Sequence, residues 1–381
     1  MTIELKKLNM AYGNTVALKD FDLSIEEGEF VAILGPSGGG KSTVLRIIAG
    51  LILQDSGDVV INGEVMNNIH PSERNVAMVF QNQALYPHMT VYNNIALNLK
   101  MKGVLKDEID RRVNEVARVV GIGGILSRKP REISGGQAQR VGLARAMIRD
   151  PVIYLMDEPL TGLDAKFRDE MREELINFHH MTKKSILYVT HDQIEAMSMA
   201  NRIIVLNNGV IVQEGTPREL YDNPEHIFVA TFVGSPAMNI FNFIKSPENP
   251  RMYILDSETD STPFGLEFEG EELPEKLTIG IRPTDFALAK KGEIKTILRS
   301  LEFLGSVIQM KVVMGNSEII ITLSRESRTK TDLFDIKPNS ELRFSVDSER
   351  FYVFDPEGMR IKNPILKVHP PEKIIETGKG E

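Results

Sequence analysis

The 381-residue chain contains no cysteine. Disulfides and thiolate metal sites are thereby excluded, and the absence fits a reducing compartment. No apolar run approaches the ~18 residues of a membrane-spanning helix, so any role at a membrane must come through a partner. Positive charge is not in surplus: 45 Lys and Arg stand against 53 Asp and Glu, a net charge of −8. General affinity for nucleic acid or anionic lipid is not expected of such a chain. The opening segment, Met1-Thr-Ile-Glu-Leu-Lys-Lys, lacks the pattern of a signal peptide. No sustained heptad run is present, which excludes a long coiled-coil insertion. What is there is ordinary for a soluble globular protein, 42 % hydrophobic and 26 % charged. The length suffices for two domains, each with a substantial core.

One stretch organises the rest. Phe30-Val-Ala-Ile-Leu34 is an apolar run of the kind buried on both faces of a sheet. Gly35-Pro36-Ser37-Gly38-Gly39-Gly40-Lys41-Ser42 follows, and Val44, Leu45, Ile47 and Ile48 then supply the apolar face of a helix. This is the phosphate-binding pattern Gly-x-x-x-x-Gly-Lys-Ser between a strand and a helix. Its glycines let successive backbone N–H groups curl into one anion-binding nest above the positive end of the helix. Lys41 can reach outer phosphates, and the Ser42 hydroxyl can ligate Mg2+.

Further apolar strands are predicted at Val76–Phe80, Pro151–Met156 and Ser185–Thr190. Each ends on a polar residue at the carboxyl edge where ligands gather in parallel sheets: Gln81, Asp157-Glu158 and His191. Asp157 can hold Mg2+ through water, and Glu158 can orient or deprotonate an attacking water. Gln81 alone reads equally as a capping side chain, and a lone histidine as structural. Tyr12 lies in a turn upstream of the phosphate loop, where an aromatic can stack on a nucleotide base. Ile109, Val113, Val116, Ala117 and Val120 predict a helix, as do Phe167, Met171, Leu175 and Phe178. Ser134-Gly135-Gly136-Gln137 opens a helical run with exposed N–H donors and no side-chain obstruction, a second place for an anion. Strands alternating with helices predict a mostly parallel α/β sheet.

In this order and spacing the set resembles the ATP-binding cassette family, the ATPase subunits of ABC transporters. The resemblance covers 1–235, with a helical subdomain at about 82–150. It implies ATP and Mg2+ as cofactors. Nucleotide contacts would come from Tyr12, the loop Gly35 to Thr43, Gln81, the signature Ser134, Gly135, Gly136 and Gln137, and Asp164 of the segment Leu160–Asp164. Ser42, Gln81 and Asp157 would hold the metal. Lys41, Glu158 and His191 would serve the chemistry, His191 sensing the γ-phosphate. It also implies a head-to-tail dimer, each ATP lying between one phosphate loop and the other copy's signature, so that cleavage lets the copies part. Ile133 stands where the family usually has leucine, and Thr161-Gly162 differs from its more frequent residues. Neither change removes a functional group.

Tyr86–Ile95 looks like the importer segment that lines a groove for a short helix of a membrane subunit. Gly234-Ser-Pro-Ala-Met-Asn239 is similar to sugar importers of the maltose and glycerol-phosphate type. From 236 to 365 the chain turns strand-rich and resembles the OB-like barrel appended to those subunits. Residues 236–381 carry 20 Lys and Arg against 24 Asp and Glu, which speaks against nucleic acid. Residues from Pro364 onward, the end of the barrel and 366–381, read as a loose tail. The expectation is thus a peripheral ATPase on the cytoplasmic face of a prokaryotic membrane. Two membrane-spanning permease subunits would hold it, and an extracytoplasmic solute-binding protein would act through them.

Overall fold

The computed structural model describes residues 3–81, 85–256, 264–270, 272–315, 317–324, 336–362 and 364–371. The chain divides into two compact units, Met1–Leu220 and Tyr221–Glu381.

The first unit opens with β1 (Ile3–Tyr12), β2 (Thr15–Ile25) and β3 (Phe30–Leu34), then α1 (Lys41–Ile48). In β2 the residues Phe21, Leu23 and Ile25 are buried while Asp22 faces solvent, the period of a half-buried strand. β4 (Ser56–Ile61) and β5 (Glu64–Val65) complete a four-stranded antiparallel sheet of order β2-β1-β4-β5. β6 (Val76–Val79) belongs to a second sheet. Three helices follow: α2 (Val91–Met101), α3 (Lys106–Val119) and α4 (Gly135–Met147). Then come β7 (Ile153–Asp157), α5 (Ala165–Thr182), β8 (Ser185–Thr190), α6 (Gln193–Met199), β9 (Arg202–Asn207) and β10 (Val210–Gly215).

The second sheet runs β10-β9-β3-β8-β7-β6. Its pairs are parallel except β9 with β10, a hairpin whose turn residues Asn208 and Gly209 both have positive φ. All five residues of β3, β7 and all six of β8 are buried, as a sheet covered on both faces requires. Register places Leu34 beside Thr190 and Asp157 beside Val189. The residues just past those strand ends therefore meet at one edge. α1 seals one face, its Val44, Leu45, Ile47 and Ile48 packing in a core with Leu8, Phe21, Ile33, Leu155 and Val189.

The second unit holds two antiparallel half-barrel sheets around one core, as expected of an OB-like domain. The larger sheet joins Asn239–Lys245, Met252–Leu255, Gly265–Glu269, Lys276–Ile281, Phe351–Phe354, Arg360–Ile361 and Ile365–His369. The smaller joins Ala287–Leu288, Ile294–Phe303, Val307–Met314, Ser317–Ser324 and Glu341–Ser345.

Two features differ in detail from the sequence reading. The compact units divide between Leu220 and Tyr221, whereas the sequence reading places a boundary at 235. The reason is Arg282, 1 % exposed, whose guanidinium donates to Tyr221 O, Ala230 O and Val233 O and lies 4.1 Å from the centre of the Tyr221 ring. That residue binds 221–233 into the second unit. The chain from Pro364 is also not wholly a tail. Ile365–His369 forms a strand paired along its length with Gly265–Glu269, with Leu366 buried. Residues 372–381 lie outside the described residues.

Candidate functional site

The phosphate loop leaves β3 and turns into α1 with Gly40 at φ 96° as its N-cap. A Cβ on Gly40 would stand 2.2 Å from Ala17 O, so both torsion and space require glycine there. Lys41 is 5 % exposed, and its ammonium donates to Gly35 O at 2.9 Å and Pro36 O at 2.8 Å. The ammonium thus rests on the loop's own carbonyls. Burial pushes its pKa below the usual lysine range, opposed by the nearby charges of Glu158 and Asp157.

Ser42 Oγ donates to Asp157 Oδ1 at 2.7 Å. Burial raises the Asp157 carboxyl above the usual range, and the Ser42 bond and then Arg46 pull the other way. A part-buried serine–aspartate oxygen pair beside a phosphate nest is a donor set suited to a hard divalent cation, which takes its remaining ligands from water and phosphate. At the far end of α1, Arg74, just before β6, donates to Ile47 O and Ile48 O and so occupies the helix's last carbonyls.

Glu158 is the centre of the edge. Its backbone has φ 45°, and its N–H donates to Val189 O at 2.9 Å. Its Oε2 lies 3.2 Å from Gln81 Nε2, 3.1 Å from Thr161 Oγ1 and 3.1 Å from His191 Nδ1. Three loops, following β6, β7 and β8, converge on one oxygen. A carboxylate so held is placed to orient or deprotonate a water molecule.

Beneath His191 lies a network that sequence reading missed. Glu195 is 4 % exposed, and its Oε2 accepts from Tyr188 Oη at 2.7 Å and Thr190 Oγ1 at 2.8 Å. Thr190 Oγ1 in turn accepts from the Asp192 N–H at 2.9 Å. Asp192 caps α6, accepting from Ile194 N and Glu195 N. Thr161 was missed too. A threonine three residues after Glu158 gave the only signal, and a turn hides it.

The remaining predicted residues stand apart from the Glu158 cluster. Ser134 caps α4 in a reciprocal box: Gln137 N donates to Ser134 Oγ at 3.3 Å, and Ser134 N to Gln137 Oε1 at 3.0 Å. Gly135 has open space around its Cα, and the end of α4 is exposed. Gln139 ties this helix to the segment after Glu158 by donating to Pro159 O. The Asp164 carboxylate caps α5, accepting from Phe167 N at 3.1 Å. Tyr12, at the end of β1, is 48 % exposed. A cleft of about 430 Å³ lies between β6, α2 and α4, lined among others by Phe80, Tyr86, Asn94, Ile95, Met101 and Arg145. Tyr86, Asn94 and Ile95 belong to the segment singled out in the sequence.

Residues 18–161 match the family model described as ABC transporter. The sn-glycerol-3-phosphate import ATP-binding protein UgpC of Yersinia pseudotuberculosis is 44 % identical over 327 residues, 85 % of this chain and 90 % of that protein. UgpC 2 of Agrobacterium fabrum is 42 % identical over 363 residues, 94 % of each chain. Among solved structures, a dimeric post-hydrolysis state of the ATP-binding cassette MJ0796 bound to ADP and phosphate superposes with a TM-score of 0.53. It shows 34 % identity over 57 % of this chain and 99 % of that one.

Proposed function

The chain belongs to the ABC transporter family, among the ATP-binding subunits of importers, and from that membership we propose how its residues turn ATP hydrolysis into solute uptake. The observation that carries the reading is the convergence of Gln81, Thr161 and His191 on the Glu158 carboxylate at the edge that also bears the phosphate loop. The 34 % identity over 57 % of the chain to a cassette bound to ADP and phosphate supports ATP cleavage.

In this reading the loop amides and Lys41 hold the phosphates. Lys41 leaves Gly35 O and Pro36 O to do so, exchanging two carbonyls for phosphate oxygens. Ser42, Asp157 and Gln81 hold Mg2+, which when bound would supply charge neutralisation at the outer phosphates. Glu158 orients and deprotonates water, and His191 contacts the γ-phosphate. Tyr12 stacks on the base. Ser134, Gly135, Gly136 and Gln137 close on the phosphates of a second copy, with Asp164 near the seam. Ser134 and Gly135 at the start of α4 are exposed, which suits that role.

No helix among the described residues is long and apolar enough to cross a membrane. In this reading, which the importer relatives support, the protein works from the cytoplasmic face through two permease subunits, each seating a short helix in the cleft beside Tyr86, and an extracytoplasmic binding protein delivers the solute. The solute is a sugar or a phosphorylated polyol, as the glycerol-3-phosphate relatives suggest. Purification with its membrane subunits tests this. ATP hydrolysis should rise when the solute-loaded binding protein is added. A complex that forms but hydrolyses ATP at one unchanging rate with and without that protein would overturn the coupling.

A further inference from the structure

The buried carboxylate beneath the His191 turn has no part in the chemistry described above, yet one of its two side-chain bonds leads directly to that turn. Thr190 is the last residue of β8 and is 2 % exposed. Its hydroxyl donates to Glu195 and accepts from the backbone N–H of Asp192. His191 lies between the two ends of that bridge. One hydroxyl thus closes the two-residue span on which His191 is carried, and Glu195 fixes the direction in which the hydroxyl points. Asp192 is braced from the other side by Arg168, whose guanidinium lies 3.7 Å from its carboxylate and also donates to Leu163 O.

We propose that Glu195 is a positioning residue for ATP hydrolysis: through Thr190 it locks the turn that holds His191 against Glu158. This rests on the reading of His191 as a contact to the outer phosphate. A buried carboxylate is costly unless fully hydrogen-bonded. A leucine or methionine would fill the same space at the foot of α6 without that cost. The choice of glutamate is explained by the acceptor it gives to Thr190. Tyr188, the second donor, lies two residues back on β8 and donates to Glu195, not to the 190–192 span, so the two arms of the network can be separated.

The experiment is a double-mutant cycle on phosphate release at saturating ATP and Mg2+, with thermal stability measured alongside. Thr190→Val should lower kcat about 10- to 100-fold, the range for loss of a supporting contact, with KM for ATP changed less than about twofold. Thr190→Ser should restore kcat. Tyr188→Phe should lower stability but leave kcat near the parent value. In a His191→Ala background, Thr190→Val should cause no further loss. Glu195→Gln, which keeps one acceptor, should show a smaller loss with the same dependence on His191, and it serves if Thr190→Val does not fold. Equal losses of kcat in Tyr188→Phe and Thr190→Val, or an undiminished Thr190→Val effect without His191, would overturn the proposal and leave a stability element. A parent protein without ATP hydrolysis would overturn the functional reading itself, a distinct result.

Discussion

Replacing Glu158 by glutamine removes one charge and almost nothing else. The backbone at φ 45° costs glutamine what it costs glutamate, and the N–H bond to Val189 O is unaffected. The amide oxygen can still accept from Gln81, Thr161 and His191, because all three converge on a single carboxylate oxygen. What is lost is the base. A positioned general base contributes about 10²- to 10⁴-fold, or about 3–5 kcal/mol of barrier. E158Q should therefore release phosphate at least about a hundredfold more slowly. ATP affinity should hold within about threefold, since loop amides, Lys41 and Ser42 are untouched. With cleavage stalled, ATP and Mg2+ should hold the paired form, visible as a doubled mass by size exclusion with light scattering. Residual turnover above about a tenth of the parent rate would refute the role of Glu158 as base.

Gly40→Ala should lose at least about 1–3 kcal/mol from backbone strain alone, before the 2.2 Å approach to Ala17 O is counted. A melting temperature unchanged by differential scanning calorimetry would contradict that. Arg282→Met leaves the carbonyls of Tyr221, Ala230 and Val233 without their donor. It should destabilise the second unit by about 3–5 kcal/mol and speed amide exchange over 221–233. Unaltered exchange there would refute it. Burial raises the Glu195 carboxyl above its usual range, so the folded state binds a proton more tightly than the unfolded state. The sign follows: this group's contribution to stability falls as pH rises from about 4.5 through its folded value. Glu195→Gln should flatten the stability-versus-pH curve over that window, and an unchanged slope in denaturant melts would tell against it.

How much of this was legible in the sequence depended on the range of the interaction. β3, the phosphate loop and α1 follow from local signals: an unbroken apolar run, glycines at fixed offsets, then a helical stripe. The meeting of Gln81, Glu158 and His191 was legible for a topological reason, since parallel strands bring their carboxyl ends to one edge. Glu195 was not. Its position on α6 reads as a polar face, and only the packing of that helix over β8 turns it inward. Asn239–Lys245 carried a readable alternation, with Phe241 and Phe243 buried. The Gly234–Asn239 stretch, read for its likeness to sugar importers, drew attention away from the strand that starts at its end. Ile365–His369 was illegible because Pro364 and a polar, lysine-bearing end look like fraying chain, while its partner lies far back in the sequence.

The pairing of that strand also sets a timetable for the ribosome. Lys367 meets Glu269, 98 positions back in the sequence, so the larger sheet of the second unit lacks its edge strand until residue 369 has been translated. The first unit is complete long before, with every strand of its two sheets made by residue 215. Synthesis should then proceed with a folded cassette tethered to an unfinished sheet whose open edge is Gly265–Glu269. That edge is the place where a nascent-chain chaperone, or another unfinished copy on the same message, would be expected to engage.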